Sequence, residues 1–406
     1  MAATTTETFS RDNSPELEAV QQLEEAARFL DLEKWIVQRL RYCERDTHVY
    51  LHAANDAGEP RVFRASRVQH ASVRGPAMGP LLFSRHYTSS DLHAIAMSLT
   101  WQWALWQFPF SGSAGCISAD IDELSEREAR TLTRQYVDHL RGTIGPQIDV
   151  IAPARDSHPE VMAWALSALG SADLRSLAAI TGKPVSVGGV DALGIAARFF
   201  RALFACSIKQ YGKIAERASV AFVGFDALAR RMALELERSG SRVIAIADRS
   251  GCVHDSSGLD ITSLVQYAEG EKVVFGYPQA DAITMADLLD QSCDALILCA
   301  PEGLSERPAA RVIFEAGGEL HCDVPKSLPV IPSLLADFSL SFASFSEWRK
   351  NSCGGLVEID GLRGLTVHVR NTWREVHEYA ERHSLSLHRA ATTLAVSRVA
   401  AAMRLK

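Results

Sequence analysis

The stretch Ser219-Val220-Ala221-Phe222-Val223-Gly224-Phe225-Asp226-Ala227-Leu228-Ala229 decides the fold. An apolar run over residues 219–223 enters a tight turn, and a helix is predicted over residues 230–239. The turn fits the dinucleotide-binding pattern G-x-G-x-x-[GA] at its two ends, Gly224 and Ala229. In an intact pattern the middle glycine lets backbone amides reach a pyrophosphate at the helix N-terminus. Here Asp226 holds that place, and its charge opposes a phosphate at short range. Asp248 closes the next apolar run, near the position where an acid can hold a ribose hydroxyl. Gly224, Phe225, Ala229 and Asp248 are therefore the candidate cofactor-binding residues, with NAD(P) as the candidate cofactor. A domain that keeps this architecture and binds dinucleotide weakly or not at all is the competing reading.

Working outward, apolar runs at 219–223, 242–247, 294–299, 320–323 and 340–345 alternate with helical text, the pattern of a doubly wound parallel sheet. Upstream, Ser14-Pro15-Glu16 marks a helix start. Residues 48–73 read as β structure bearing Arg61, Arg64, Arg67 and Arg74, taken as charges on a solvated face with an anion site as the alternative. Helices are predicted over 91–105 and 125–139, a strand over 147–152, and helical text over 369–406. The small-residue segment from Phe110 to Cys116 predicts a backbone-lined loop. A turn cluster at Thr181-Gly182-Lys183-Pro184 and Gly188-Gly189 suits a domain boundary. The class is α/β, with two domains.

The 406 residues, 47% hydrophobic and 22% charged, suit an ordinary globular chain. A net charge of −7 argues against nucleic acid as partner. No apolar stretch approaches a membrane span, and residues 1–13 lack the pattern of a secretory signal, so a cytoplasmic setting is expected. The eight scattered cysteines, never in C-x-x-C pairs, read as reduced thiols. There is no H-E-x-x-H and no G-x-S-x-G, Lys183 lies outside any Walker pattern, and no metal is expected.

Several motifs in order give the chain a resemblance to a known family: Arg67-Val68-Gln69-His70, Arg74-Gly75-Pro76-Ala77, Leu99-Thr100-Trp101, Phe108-Pro109-Phe110, Ala152-Pro153, Val161-Met162-Ala163-Trp164, Thr181-Gly182-Lys183-Pro184, Ser257-Gly258-Leu259-Asp260, Ser346-Glu347-Trp348 and the closing Leu394 to Ala400. It resembles the glutamate/leucine/phenylalanine/valine dehydrogenases, and within them the glutamate dehydrogenases. The resemblance implies an N-terminal α/β oligomerisation domain completed by C-terminal helices, residues 1–187 plus 365–406, and a Rossmann-like dinucleotide-binding-type domain, residues 188–364. It also implies a homo-oligomer, by family habit a hexamer.

The family's activity is reversible NAD(P)-dependent oxidative deamination, which uses a water-activating lysine, a proton-shuttling aspartate and two carboxylate-binding lysines. Carried over residue by residue, the carboxylate-binding positions hold Met78 and Gln102, and the catalytic positions hold Ala114 and Ala154. Leu82 stands where the family often has arginine. On the cofactor side the resemblance aligns Ala196-Ala197-Arg198-Phe199-Phe200, Cys322-Asp323-Val324-Pro325-Lys326-Ser327 and Asp337-Phe338-Ser339-Leu340 with the family's conserved segments, all altered.

Three readings follow. In the first, the chain is a catalytically inactive regulatory or structural paralogue, with an active amino-acid dehydrogenase as a hetero-oligomeric partner. The second is an NAD(P)-dependent oxidoreductase with a re-purposed site acting on an amino or imino acid or other less acidic substrate, drawing on His70, Cys116, Arg155, Asp156 and His158. The third is a small-molecule sensor whose cleft is lined by Phe199, Phe200 and Phe338.

Overall fold

The computed structural model describes residues 14–155, 157–170, 174–212, 215–300, 303–325, 327–353 and 362–406. Residues 1–13, Asp156 and Lys326, which the sequence reading invoked, lie outside them.

The N-terminal domain is built from α1 (Pro15–Phe29), α2 (Lys34–Leu40), β1 (Arg45–Ala54), β2 (Pro60–Gln69), β3 (Ala77–Phe83), α3 (Ser89–Leu105), β4 (Ser111–Ile117), α4 (Glu126–His139), β5 (Asp149–Pro153) and α5 (Pro159–Leu169). Its five strands run in the order β1-β2-β4-β3-β5. The segment expected to loop, Phe110 to Cys116, is instead largely strand β4, and all seven of its strand residues are buried. Small residues are needed there for packing. A Cβ on Gly112 would collide with the backbone of α3, and one on Gly115 with Tyr136 and Arg67. Two capping boxes, Thr88 with Asp91 and Ser125 with Glu128, start α3 and α4.

The Rossmann-like domain follows: α6 (Ala192–Gln210), β6 (Ser219–Val223), α7 (Ala227–Arg238), β7 (Arg242–Asp248), β8 (Gly251–His254), α8 (Ile261–Glu271), β9 (Asp281–Ile283), α9 (Met285–Asp290), β10 (Ala295–Leu298), β11 (Ile313–Glu315), β12 (Val330–Ile331), α10 (Ser333–Ala336) and α11 (Ser339–Ser352). The sheet order is β12-β11-β10-β6-β7-β8-β9. Strands β12 to β7 pair in parallel, whereas β8 and β9 extend that edge antiparallel, an addition absent from the sequence reading.

Two expected strands are corrected. Residues 320–323 contribute only a bridge from Leu320 to Leu304, because the fully buried run Ile313–Glu315 takes the place in the sheet. Residues 340–345 lie within α11, since Phe338, Phe342 and Phe345 recur at helical spacing and share one aromatic cluster.

The chain closes with α12 (Leu362–His383), which packs on α6, and α13 (Leu387–Arg404), which packs on α1 and α3. One apolar core draws residues from both domains. At its centre Trp106 stacks on Phe338, ring centroids 5.4 Å apart, and donates its indole N–H to the Leu334 carbonyl at 3.0 Å. Among the described residues no helix is long and apolar enough to cross a membrane, and the eight cysteines are free thiols.

Candidate functional site

A cleft of about 300 Å³ lies between the domains, lined from one side by Met78, Leu82, Leu99, Gln102 and Ala154 and from the other by Leu228, Gly317, Asp337 and Ser344. Parallel pairing puts Met78 of β3 beside Val150 of β5, so the ends of both strands open on the same edge. Gly79 permits this, because a Cβ there would overlap the Ser113 carbonyl of β4. Three of the four positions singled out by resemblance, Met78, Gln102 and Ala154, therefore meet in one cleft. The fourth, Ala114, is fully buried in a small apolar cluster with Val68, Leu92, Ala96 and Cys116, against which Leu82 and Ile95 of the cleft pack. Among the described lining residues only Arg155 and Asp337 carry charge. The Gln102 Oε1 atom is buried there without a hydrogen-bond partner.

Arg155 leaves the end of β5 and reaches across the cleft. Its guanidinium pairs with both oxygens of Asp226, donates to the Ala316 carbonyl at 2.6 Å and lies 3.3 Å from Asp337 Oδ1. A Cβ on Gly317 would collide with it. Desolvation raises the Asp337 pKa to about 6, although Arg155 opposes the rise. Burial pushes the neighbouring Cys299 thiol up to about 12, which leaves no thiolate there near neutral pH.

The candidate cofactor residues lie where the turn was expected. Gly224 has φ +95°, and a side chain there would strike the backbone at Cys299 and Ala300. Phe225 is buried, with the Arg230 guanidinium 5.7 Å from its ring centroid. Asp226 is the N-cap of α7, and its Oδ1 accepts the Ala229 amide at 2.7 Å. Asp248 accepts from Ser250 through Oδ1 and from the Val274 amide through Oδ2 at 3.0 Å. These residues do not fit a dinucleotide in the arrangement seen. A carboxylate covers the helix N-terminus, and an arginine from the opposite domain covers that carboxylate.

The remaining candidates are not brought to the cleft. His70 is buried between α2 and α3, bonded to Thr100 and to the Leu40 carbonyl, and burial lowers its pKa to about 4. The Cys116 thiol is buried against the Ser84 carbonyl, with its pKa raised to about 11 by burial. His158 is exposed at the start of α5. Phe199, Phe200 and Phe338 are fully buried core residues and do not line the cleft.

Nor do the four arginines share one solvated face. Arg61 pairs with Glu128 at 3.0 Å, Arg74 donates to the Phe108 carbonyl at 3.2 Å, and Arg64 lies near Ser89. Arg67 is 1% exposed and forks onto Asp149, with contacts of 2.9 and 2.6 Å. Sequence reasoning missed the meeting of Arg155, Asp226 and Asp337. The signal available was charge: two new acids and one arginine occupy segments that the resemblance makes otherwise uncharged or differently charged. The capping role of Asp226 was also readable, because an aspartate directly before a helix is a common N-cap.

Two α/β domains, one Rossmann-like, facing each other across a cleft define a two-domain dehydrogenase architecture. Residues 43–170 match the family described as Glu/Leu/Phe/Val dehydrogenase, dimerisation domain, and residues 189–319 match Glutamate/Leucine/Phenylalanine/Valine dehydrogenase. Glutamate dehydrogenase A2 of Halobacterium salinarum is 32% identical over 93% of this chain and 95% of its own. The glutamate dehydrogenase of Thermotoga maritima is 30% identical over 95% and 96%. The hetero-hexameric glutamate dehydrogenase of Thermus thermophilus, solved in a Leu-bound form, superposes with a TM-score of 0.88 over 98% of each chain at 25% identity. The chain belongs to the glutamate/leucine/phenylalanine/valine dehydrogenase family, and these relatives place it beside the glutamate dehydrogenases.

Proposed function

We propose that this chain is a glutamate-dehydrogenase-like subunit that does not oxidise glutamate and that serves a regulatory or structural role in a cytoplasmic oligomer. The carrying observation is the chemistry of the cleft. The one cation among its described lining residues, Arg155, is already bound by Asp226 and Asp337, while Met78, Gln102 and Ala154 offer no charge to a dicarboxylate. With Ala114 at the fourth position, the resemblance implies that the water-activating lysine, the proton shuttle and both carboxylate-binding lysines are replaced. Losing a single general acid or base costs about 10²–10⁴ in rate. The Thermus relative is hetero-hexameric, which supports a mixed assembly of this chain with an active amino-acid dehydrogenase. The domain limits proposed for it are 1–187 plus 365–406 and 188–364.

The test is an assay of glutamate oxidation with NAD⁺ and with NADP⁺ on the purified chain, paired with co-purification from the native host. The expected result is no turnover by the chain alone and recovery of a second dehydrogenase chain. Turnover by the chain alone overturns the proposal, and recovery of self-assemblies only overturns the mixed assembly with an active dehydrogenase. The retained left-handed turn at Gly224 supports a second reading, an NAD(P)-dependent oxidoreductase for a less acidic substrate. Saturable dinucleotide binding in a calorimetric titration would favour it over the first.

A further inference from the structure

We infer that Arg155, Asp226 and Asp337 form an interdomain latch that takes the place a dinucleotide would occupy and ties the walls of the cleft together without one. The latch rests on the silent-subunit reading for its purpose and not for its existence.

Three observations carry it. First, the N-terminus of α7, which in the intact fingerprint faces a pyrophosphate, is already occupied by an anion of the chain's own. The Asp226 carboxylate accepts the Ala229 amide at 2.7 Å and so satisfies one of the donors a phosphate would use. Second, the counter-charge comes from the other domain. Arg155 stands next to Ala154 at the end of β5, and its planar fork takes both Asp226 oxygens while its Nη1 reaches the Ala316 carbonyl and Asp337. One side chain is thus bonded to three separate segments of the Rossmann-like domain. Third, the receiving surface is shaped for it, because Gly317, with φ +119°, leaves the space that the guanidinium fills.

The pieces depend on one another. Asp226 alone would repel a phosphate, but it would also leave a carboxylate uncompensated in the cleft wall. Arg155 alone could bind an incoming carboxylate or phosphate. Together they neutralise each other, and the cleft neither attracts an anionic cofactor nor needs one to hold its two walls in contact. The latch is partly accessible to water, with Arg155 20%, Asp226 36% and Asp337 39% exposed, so it can be broken by substitution.

Hydrogen–deuterium exchange on the full-length oligomer tests this, read on peptides covering residues 150–155 and 224–232, with and without millimolar NADH. The chains compared are the wild type, Arg155→Ala and Asp226→Asn. Asp226→Asn keeps an oxygen to cap α7 and removes only the charge, so it separates latch from cap and serves if Arg155→Ala does not fold. Both variants are expected to exchange about tenfold faster on both walls, as for the loss of one local tie. The wild type is expected to exchange slowly and to ignore NADH. Unchanged exchange in the variants overturns the latch. So does acceleration confined to residues 224–232, which would report a local cap, and so does added protection of the wild-type turn by NADH. Glutamate turnover by the wild-type chain would overturn the silent-subunit reading instead and leaves these exchange outcomes to decide the latch.

Discussion

Two arginine–aspartate clusters, Arg67 with Asp149 and Arg155 with Asp226 and Asp337, share their chemistry and differ in setting. Arg67 and Asp149 lie inside the N-terminal sheet, 1% and 0% exposed. The Asp149 oxygens also accept from Ser113 and Gln69, each at 2.7 Å, and Arg67 donates to the Pro80 carbonyl at 2.9 Å. Removing one member would strand a buried charge in a site that water cannot reach. The Arg155 cluster lies at the rim of a cleft, where water can replace a lost partner. A glycine makes room for each guanidinium, Gly115 for Arg67 and Gly317 for Arg155. The difference teaches that one pair holds a fold while the other holds two domains together.

Substitutions should break that comparison unequally. Arg67→Ala is expected to cost about 3–5 kcal/mol of stability, read as a lower urea midpoint, because Asp149 is left buried and uncompensated. Gly115→Ala should come next at about 1–3 kcal/mol, since its methyl group must displace Arg67 and Tyr136 in a closely packed sheet. Arg155→Ala should cost only about 1 kcal/mol in the same titration, while changing exchange at the cleft far more than it changes the midpoint. An equal loss in Arg67→Ala and Arg155→Ala would erase the distinction drawn between them.

The smallest expected effect is on pH dependence. Asp337 holds its proton more tightly in the folded protein, up to about 6, than a free aspartate does at about 3.9. The folded state therefore binds the extra proton. The stability this contributes is present below about pH 4 and is lost as pH rises through about 6. His388 acts in the same direction. Burial disfavours its imidazolium, but the hydrogen bond and charge of Glu315, 2.7 Å away, and the charge of Glu319 outweigh that and raise its pKa. Its contribution is present below about 6.5 and fades as pH rises through the raised value. His70, held neutral by burial, acts in the opposite direction, so the quantity to read is a difference: the urea midpoint of the wild type minus that of Asp337→Asn, or minus that of His388→Ala, should fall as pH rises from acid to neutral.

Much of the fold was legible because local rules suffice for it. Ser14 capping before Pro15, the apolar runs of β6, β7 and β10, and the turn at Gly224 each follow from a few neighbouring residues. Where the reading failed, packing across the chain had the last word. The small residues of β4 look like a loop until α3 and Arg67 are pressed against them. Residues 340–345 look extended until Phe108 and Phe338 arrive on one face of α11. His70 and Cys116 look reactive until burial pushes both pKa values away from neutrality.

The candidate site divides in the same way. Met78, Gln102 and Ala154 were singled out by the resemblance to the family, and the structure brings them to one cleft. Which charges face one another across that cleft could not be read from spacing. Arg155 pairs with Asp226, 71 residues along the chain, and with Asp337, 182 residues along. By itself the sequence determined the α/β class, the dinucleotide-type turn and the family, because periodicity, capping and motif order are local and additive. Only the tertiary structure decided that an arginine beside Ala154 closes on the aspartate in the dinucleotide turn, because an ion pair depends on distance in space, and chain separation does not specify that distance.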